Sequence, residues 1–230
     1  GQVWSLNPAG GELVMGHHEG SFLLSASNSR ILSSEPGAWT FVTMSDEYML
    51  GGTYTGLVLY RKEKGQWVFD RKLDGLKESC RIMVKDEDQS IWISHPYRGV
   101  YNVRWNAGNK DKIDIRFFNQ ENGLPTNLNN YVFQIAGKAV FATEKGVFHF
   151  DRSKDTFVPD DDFNRLLDKQ HRVRYLREDT KGNVWYVTDH EAGMLIVNDF
   201  GLKKEVRKKV IPELAGKLVG GFEFLLPIDG

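Results

Sequence analysis

Four of the six histidines in this chain fall in short polar segments that each run into a glycine. These are His17-His18-Glu19 before Gly20, His95-Pro96-Tyr97-Arg98 before Gly99, and Thr188-Asp189-His190-Glu191-Ala192 before Gly193. Thr53-Tyr54-Thr55 before Gly56 and Thr143-Glu144-Lys145 before Gly146 have the same form. Imidazole, phenol, guanidinium and carboxylate groups together supply donors, acceptors and an aromatic face, which is the set that sugar hydroxyls require. The candidate ligand contacts are therefore His18, Tyr54, His95, Tyr97, Arg98 and His190. Arg98 suits a carboxylate or sulfate, and Tyr97 suits a pyranose face.

Other chemistry is less well served by the same segments. His17 and His18 are adjacent, so an extended backbone points them in opposite directions, and no Cys or third His stands at a ligand spacing. No metal and no other cofactor is expected. Asp189, His190 and Glu191 carry acid and base groups of the kind a glycosidase or lyase uses, but no second carboxylate partner is identifiable, and no catalytic residue is assigned. Asp86-Glu87-Asp88-Gln89-Ser90 and Asp179-Thr180-Lys181-Gly182-Asn183 resemble calcium loops only in acidity. Neither continues into EF-hand spacing, and both read as solvated hairpin turns. Cys80, the single cysteine, lies at the start of an apolar run and reads as a small buried residue rather than a nucleophile.

A repeat positions these segments. Each unit has a β-like run, a turn, an apolar strand, a polar loop, a Gly, a further apolar strand and then a more polar one. The first runs are Gln2–Leu6, Trp39–Met44, Cys80–Val84, Tyr131–Ile135 and Arg172–Leu176, with starts separated by 37, 41, 51 and 41 residues. Four strands at that period specify a β-propeller. Five complete blades are expected near residues 2–37, 38–78, 79–127, 128–170 and 171–220, and one strand of a sixth at 221–230, beginning with Phe222-Glu223-Phe224-Leu225-Leu226. Trp92 and Trp185 share one repeat position and read as inter-blade core. Loops between second and third strands emerge on one face, so the candidate contacts should gather around the propeller axis.

The fold class is thus all-β, and 23 Gly against 7 Pro agrees with many tight turns between short strands. A net charge of −1 argues against a nucleic-acid partner for this segment, and the one basic run, Lys203 to Lys209, reads as a solvated strand face. No run approaches the ~18 apolar residues of a membrane span. The chain starts at Gly1 and stops inside a strand-like segment, and is expected to be a piece of a longer protein.

Gly123-Leu124-Pro125, then Asn130 and Val132, then Val140 to Gly146-Val147, is similar to the propeller repeat of Bacteroidetes two-component regulators. Residues 178–195 match the turn-and-Trp portion of that repeat, and 86–101 match it with Gln89-Ser90 in place of Gly-Asn. The first two units depart further and lack the aligned Trp. Across its length the chain resembles the periplasmic sensor region of membrane-anchored LuxR-type triple-tyrosine regulators or hybrid sensor histidine kinases. The resemblance implies a ring of seven blades, a periplasmic location with the parent protein in the inner membrane, and an oligosaccharide ligand reported to a cytoplasmic output module. It also allows a homodimer. No kinase signature or helix-turn-helix occurs in this chain.

Two other classes stay open on the residues alone. One is a protein-interaction scaffold that docks partners on its rim or an unpaired edge. The other is a carbohydrate-active hydrolase or lyase.

Overall fold

The computed structural model describes residues 1–95, 97–167, 171–200 and 203–218. Five four-stranded antiparallel sheets account for nearly all of them, each with its strands side by side in chain order. The first holds β1 (Val3–Ala9), β2 (Glu12–His17), β3 (Gly20–Leu24) and β4 (Ser29–Ser33). The second holds β5 (Thr40–Thr43), β6 (Tyr48–Thr53), β7 (Gly56–Glu63) and β8 (Gln66–Leu73), and the third β9 (Ile82–Lys85), β10 (Ile91–His95), β11 (Gly99–Asn106) and β12 (Asn109–Phe118). The fourth comprises β13 (Tyr131–Ile135), β14 (Lys138–Thr143), β15 (Gly146–Asp151) and β16 (Thr156–Pro159), and the fifth β17 (Val173–Glu178), β18 (Val184–Thr188), β19 (Ala192–Phe200) and β20 (Lys203–Val210). These are propeller blades. The strand expected at 222–228 lies outside the described residues.

The described residues divide into two compact units, one drawn from residues 1–95 and 100–117 and the other from residues 97–99 and 118–218. In the first, Val14, Leu23, Phe41, Met49, Val58, Tyr60 and Trp67 bury the contact between the first and second blades. Leu50, Leu57, Leu59, Met83, Ile91, Ile93 and Val103 do the same between the second and third. Period-2 alternation puts neighbouring side chains on opposite faces, which is why each blade can feed two such cores. The two large polar side chains of the first layer, Trp67 and Tyr60, are hydrogen-bonded. The Trp67 indole donates to the Ala9 carbonyl at 3.2 Å, and Ser21 and Tyr60 share a 2.8 Å hydrogen bond. Burial pushes the Tyr60 phenol up to about 12.

Among the described residues, the opposite face of the first blade is only partly covered. Leu6, Met15, Phe22 and Ile31 are cross-strand partners in one row over all four strands, and Leu6 and Ile31 are 57% and 55% exposed. In the second unit, Ile135, Val140, Val147, Val173, Leu176, Val184, Tyr186 and Leu195 form the core between the fourth and fifth blades. Trp185 alternates to the other face of β18 and is only half-buried, whereas Trp92 is 1% exposed.

The repeat did not announce the helix α1 (Asp161–Leu167) between the last two blades. Asp160 caps it, its carboxylate accepting the Phe163 amide at 3.1 Å. Asn164 exchanges two hydrogen bonds with the backbone of Val147, both 2.8 Å, and Leu167 is buried, so the helix is tied to β15.

Candidate ligand site

The two acidic turns are built alike. In the third blade Asp86 and Ser90 close the hairpin, and Gln89 takes φ +67°. In the fifth, Asp179 and Asn183 close it, and Gly182 takes φ +78°. The aspartate carboxylate accepts the indole N–H six residues on, Asp86 from Trp92 at 3.0 Å and Asp179 from Trp185 at 3.1 Å. Their acidity therefore serves the turn and its tryptophan. Cys80 is fully buried, and desolvation pushes its thiol up to about 12, which fits an inert core residue.

Three of the five loops between second and third strands owe their shape to the threonine that ends the second strand. Thr53 Oγ1 donates to the Gly56 carbonyl at 3.0 Å, Thr143 Oγ1 to that of Gly146 at 2.8 Å, and Thr188 Oγ1 to that of Glu191 at 3.1 Å. Each hydroxyl also accepts an amide of its own turn, from Thr55, Lys145 and His190 respectively. Gly56, at φ +117°, has its Cα against the Leu76 carbonyl, where a Cβ would lie 2.2 Å from oxygen. The tips thus carry Tyr54, Glu144-Lys145 and Asp189-His190 in similar settings.

In the first unit these tips meet the starts of the innermost strands. Trp4 sits at a bulge in β1, Trp39 just before β5 and Arg81 just before β9. Trp4 and Trp39 have ring centroids 4.1 Å apart, and the Arg81 guanidinium carbon lies 4.6 Å over the Trp39 ring. Tyr54 meets Trp39 edge-on at 5.5 Å and seats its ring over Gly37. Its hydroxyl is 2.8 Å from His18 Nδ1. The result is a cation held on an aromatic stack beside a phenol–imidazole pair. Arg81 is exposed and has no carboxylate partner among the described residues, while the Trp4 and Trp39 indole N–H groups are covered and make no hydrogen bond there.

Of the expected contacts, the structure brings His18 and Tyr54 together. Trp4, Trp39 and Arg81, which complete the cluster, were not singled out from the sequence; their shared position at the start of successive first strands was the available signal. His95 is mostly buried, with Nε2 3.5 Å from Glu78. Tyr97, 71% exposed, and Arg98 stand on the β10–β11 turn. His190 lies in the second unit beside His171 and Asp189. Glu191 points elsewhere, accepting from the Tyr186 hydroxyl at 3.1 Å and pairing with Lys208. Asp189 and Glu191 thus have separate surroundings, and no paired-carboxylate geometry arises between them.

No family model matches the chain, and no curated protein matches its sequence. Solved structures do resemble it. The extracellular domain of the hybrid two-component system BT4673 from B. thetaiotaomicron superposes with a TM-score of 0.61 at 17% identity, over 84% of this chain and 26% of that one. The extracellular domain of the hybrid two-component system BT3049 from the same organism gives 0.62 at 16%, over 89% and 28%. Virginiamycin B lyase from Staphylococcus aureus gives 0.57 at 10%, over 91% and 70%. The chain spans about a quarter of the length of the two Bacteroides domains. Among the described residues no helix is long and apolar enough to cross a membrane. At these identities the likeness carries the fold, and the chain shares the β-propeller architecture of these extracellular domains.

Proposed function

We propose that this chain is part of an extracytoplasmic ligand-sensing propeller of a bacterial signal-transduction protein, periplasmic in a parent anchored in the inner membrane, and that it responds to an oligosaccharide bearing an acidic group. The observation that carries the ligand class is Arg81 stacked on Trp39 beside the Tyr54–His18 pair. A guanidinium fixed on an aromatic face loses little side-chain freedom on binding and presents a planar fork to a carboxylate or sulfate. Tyr54 and His18 supply donors and acceptors for neighbouring hydroxyls. Tyr97 and Arg98 stay in the proposed contact set on their own turn, while His95 and His190, both facing carboxylates, do not lead it.

The ring is proposed to continue past the described blades. The partly exposed row Leu6, Met15, Phe22 and Ile31 has the pattern that the second blade covers on the other side, so a further blade is its natural occupant.

Titration calorimetry with uronic-acid-containing or sulfated oligosaccharides, against neutral ones of the same length, tests the reading. Acidic ligands should bind, and Arg81→Ala should weaken them roughly ten- to hundredfold, the scale of a lost charge-assisted hydrogen bond of about 1.5–3 kcal/mol. Arg81→Lys should recover only part. Binding that is indifferent to charge and to Arg81 would overturn the proposal.

A further inference from the structure

We propose that His171, Asp189 and His190 form a binding site for a transition-metal ion of the Zn2+ type, with coordination positions left for an external ligand. His171 lies ahead of β17, and Asp189-His190 form the tip between β18 and β19. The Asp189 amide donates to the Arg172 carbonyl at 3.2 Å, which holds the two segments together, and Thr188 Oγ1 accepts the His190 amide at 3.2 Å. The two imidazoles meet edge to face with centroids 4.1 Å apart.

His171 Nδ1 and His190 Nε2 address the same oxygen, Asp189 Oδ1, from 3.8 Å and 3.7 Å. Both distances exceed a hydrogen bond. With metal–ligand bonds of about 2.0–2.1 Å, neighbouring donor atoms around a tetrahedral ion stand about 3.3–3.4 Å apart. The donor atoms here all fall within 4.8 Å of one another, so side-chain rotation of an ångström or so closes the set. The side chains are 38%, 43% and 61% exposed for His171, Asp189 and His190, which leaves them room to turn and the ion a way in. Two neutral imidazoles and one carboxylate favour Zn2+, Co2+, Ni2+ or Cu2+ over Mg2+ or Ca2+, which take mainly oxygen. The adjacent pair His17 and His18 does not form such a set, because His17 lies against Phe22 and His18 against Tyr54. The sequence offered no third histidine at ligand spacing, and only the closing of β17 onto the β18–β19 tip supplies His171.

Calorimetric titration of the metal-free chain with Zn2+ and with Ni2+ should show one saturable site per chain, and Co2+ should develop the visible absorption of a nitrogen-ligated ion of low coordination number. His190→Ala, at an exposed tip, should lower affinity at least tenfold with the thermal midpoint of the metal-free protein unchanged. His171→Ala and Asp189→Asn should do likewise, whereas His149→Ala should bind as the parent does. Absence of saturable binding for both ions, or affinity within twofold of the parent in the His171→Ala/His190→Ala variant, would overturn the assignment.

Discussion

Replacing Gly52 by Ala should damage both the stack of blades and the aromatic platform. Gly52 lies in β6 with an ordinary backbone conformation, so the effect is steric. An added Cβ would stand 2.2 Å from the Cys80 carbonyl oxygen and 2.9 Å from both Cys80 Cβ and Met83 Sδ. Normal contact demands about an ångström more, and the nearest atom is backbone. The segment ahead of β9 must therefore move, and with it the hydrogen bond from the Cys80 amide to the Thr53 carbonyl, 2.9 Å long. Overpacking of about 1–3 kcal/mol together with a weakened buried hydrogen bond gives a cost of about 2–4 kcal/mol. For a domain of this size that lowers the thermal midpoint by about 5–15 °C. The Gly52 carbonyl also accepts the Trp39 amide at 2.8 Å, so near-ultraviolet circular dichroism should report a disturbed tryptophan stack. Gly11→Ala is the control. It has φ +88° but nothing within 4 Å, and should cost only about 1 kcal/mol. A Gly52→Ala midpoint equal to or above that of Gly11→Ala would refute the close-approach argument.

The carboxyl of Asp179 is raised by burial but lowered further by hydrogen bonds from the Asn183 side chain, the Trp185 indole and the Asn183 and Lys181 amides, for a net shift downward. A depressed carboxyl contributes stability above its unfolded value of about 3.9 and loses it as pH falls through the folded value. Asp179→Ala should therefore cost about 1–2 kcal/mol at neutral pH in denaturant titrations, and the difference from the parent should shrink below about pH 4. Gln89→Gly, which relieves the left-handed residue in the equivalent turn, should stabilise the chain by about 0.5 kcal/mol in the same assay. Cys80 should resist alkylation in the native chain and react at once on unfolding, as followed by mass spectrometry. The isolated chain should self-associate through the partly exposed apolar face of its first blade, and Leu6→Lys with Ile31→Lys should shift its sedimentation to the monomer.

The amino-acid sequence by itself determines the local pairing in this protein. Alternating apolar residues ended by Gly or Asp-rich turns leave each unit little choice but a four-strand meander, because register follows from which face must be buried. The positions of Trp92 and Cys80 in the buried layers follow from the same alternation. What the period leaves open is where one unit breaks it. The helix at 161–167 occupies a stretch with no counterpart in the other units, and its hold on the fourth blade rests on the two hydrogen bonds Asn164 exchanges with the Val147 backbone and on the buried Leu167.

The site was decided by tertiary structure. Trp4, Trp39 and Arg81 are separated by whole blades, and only the packing of one first strand beside the next sets their rings and guanidinium in a row. Bulges after Val3 and Val173 alter side-chain direction at the strand starts, where a strict period of two would have aimed them otherwise. His171 and His190 likewise come from different segments, one ahead of β17 and one between β18 and β19, and meet through that geometry. Sequence spacing encodes contacts along a chain and across a hairpin, whereas convergence between hairpins depends on how closely and at what angle neighbouring elements pack, and that is fixed by the shapes of the buried side chains between them.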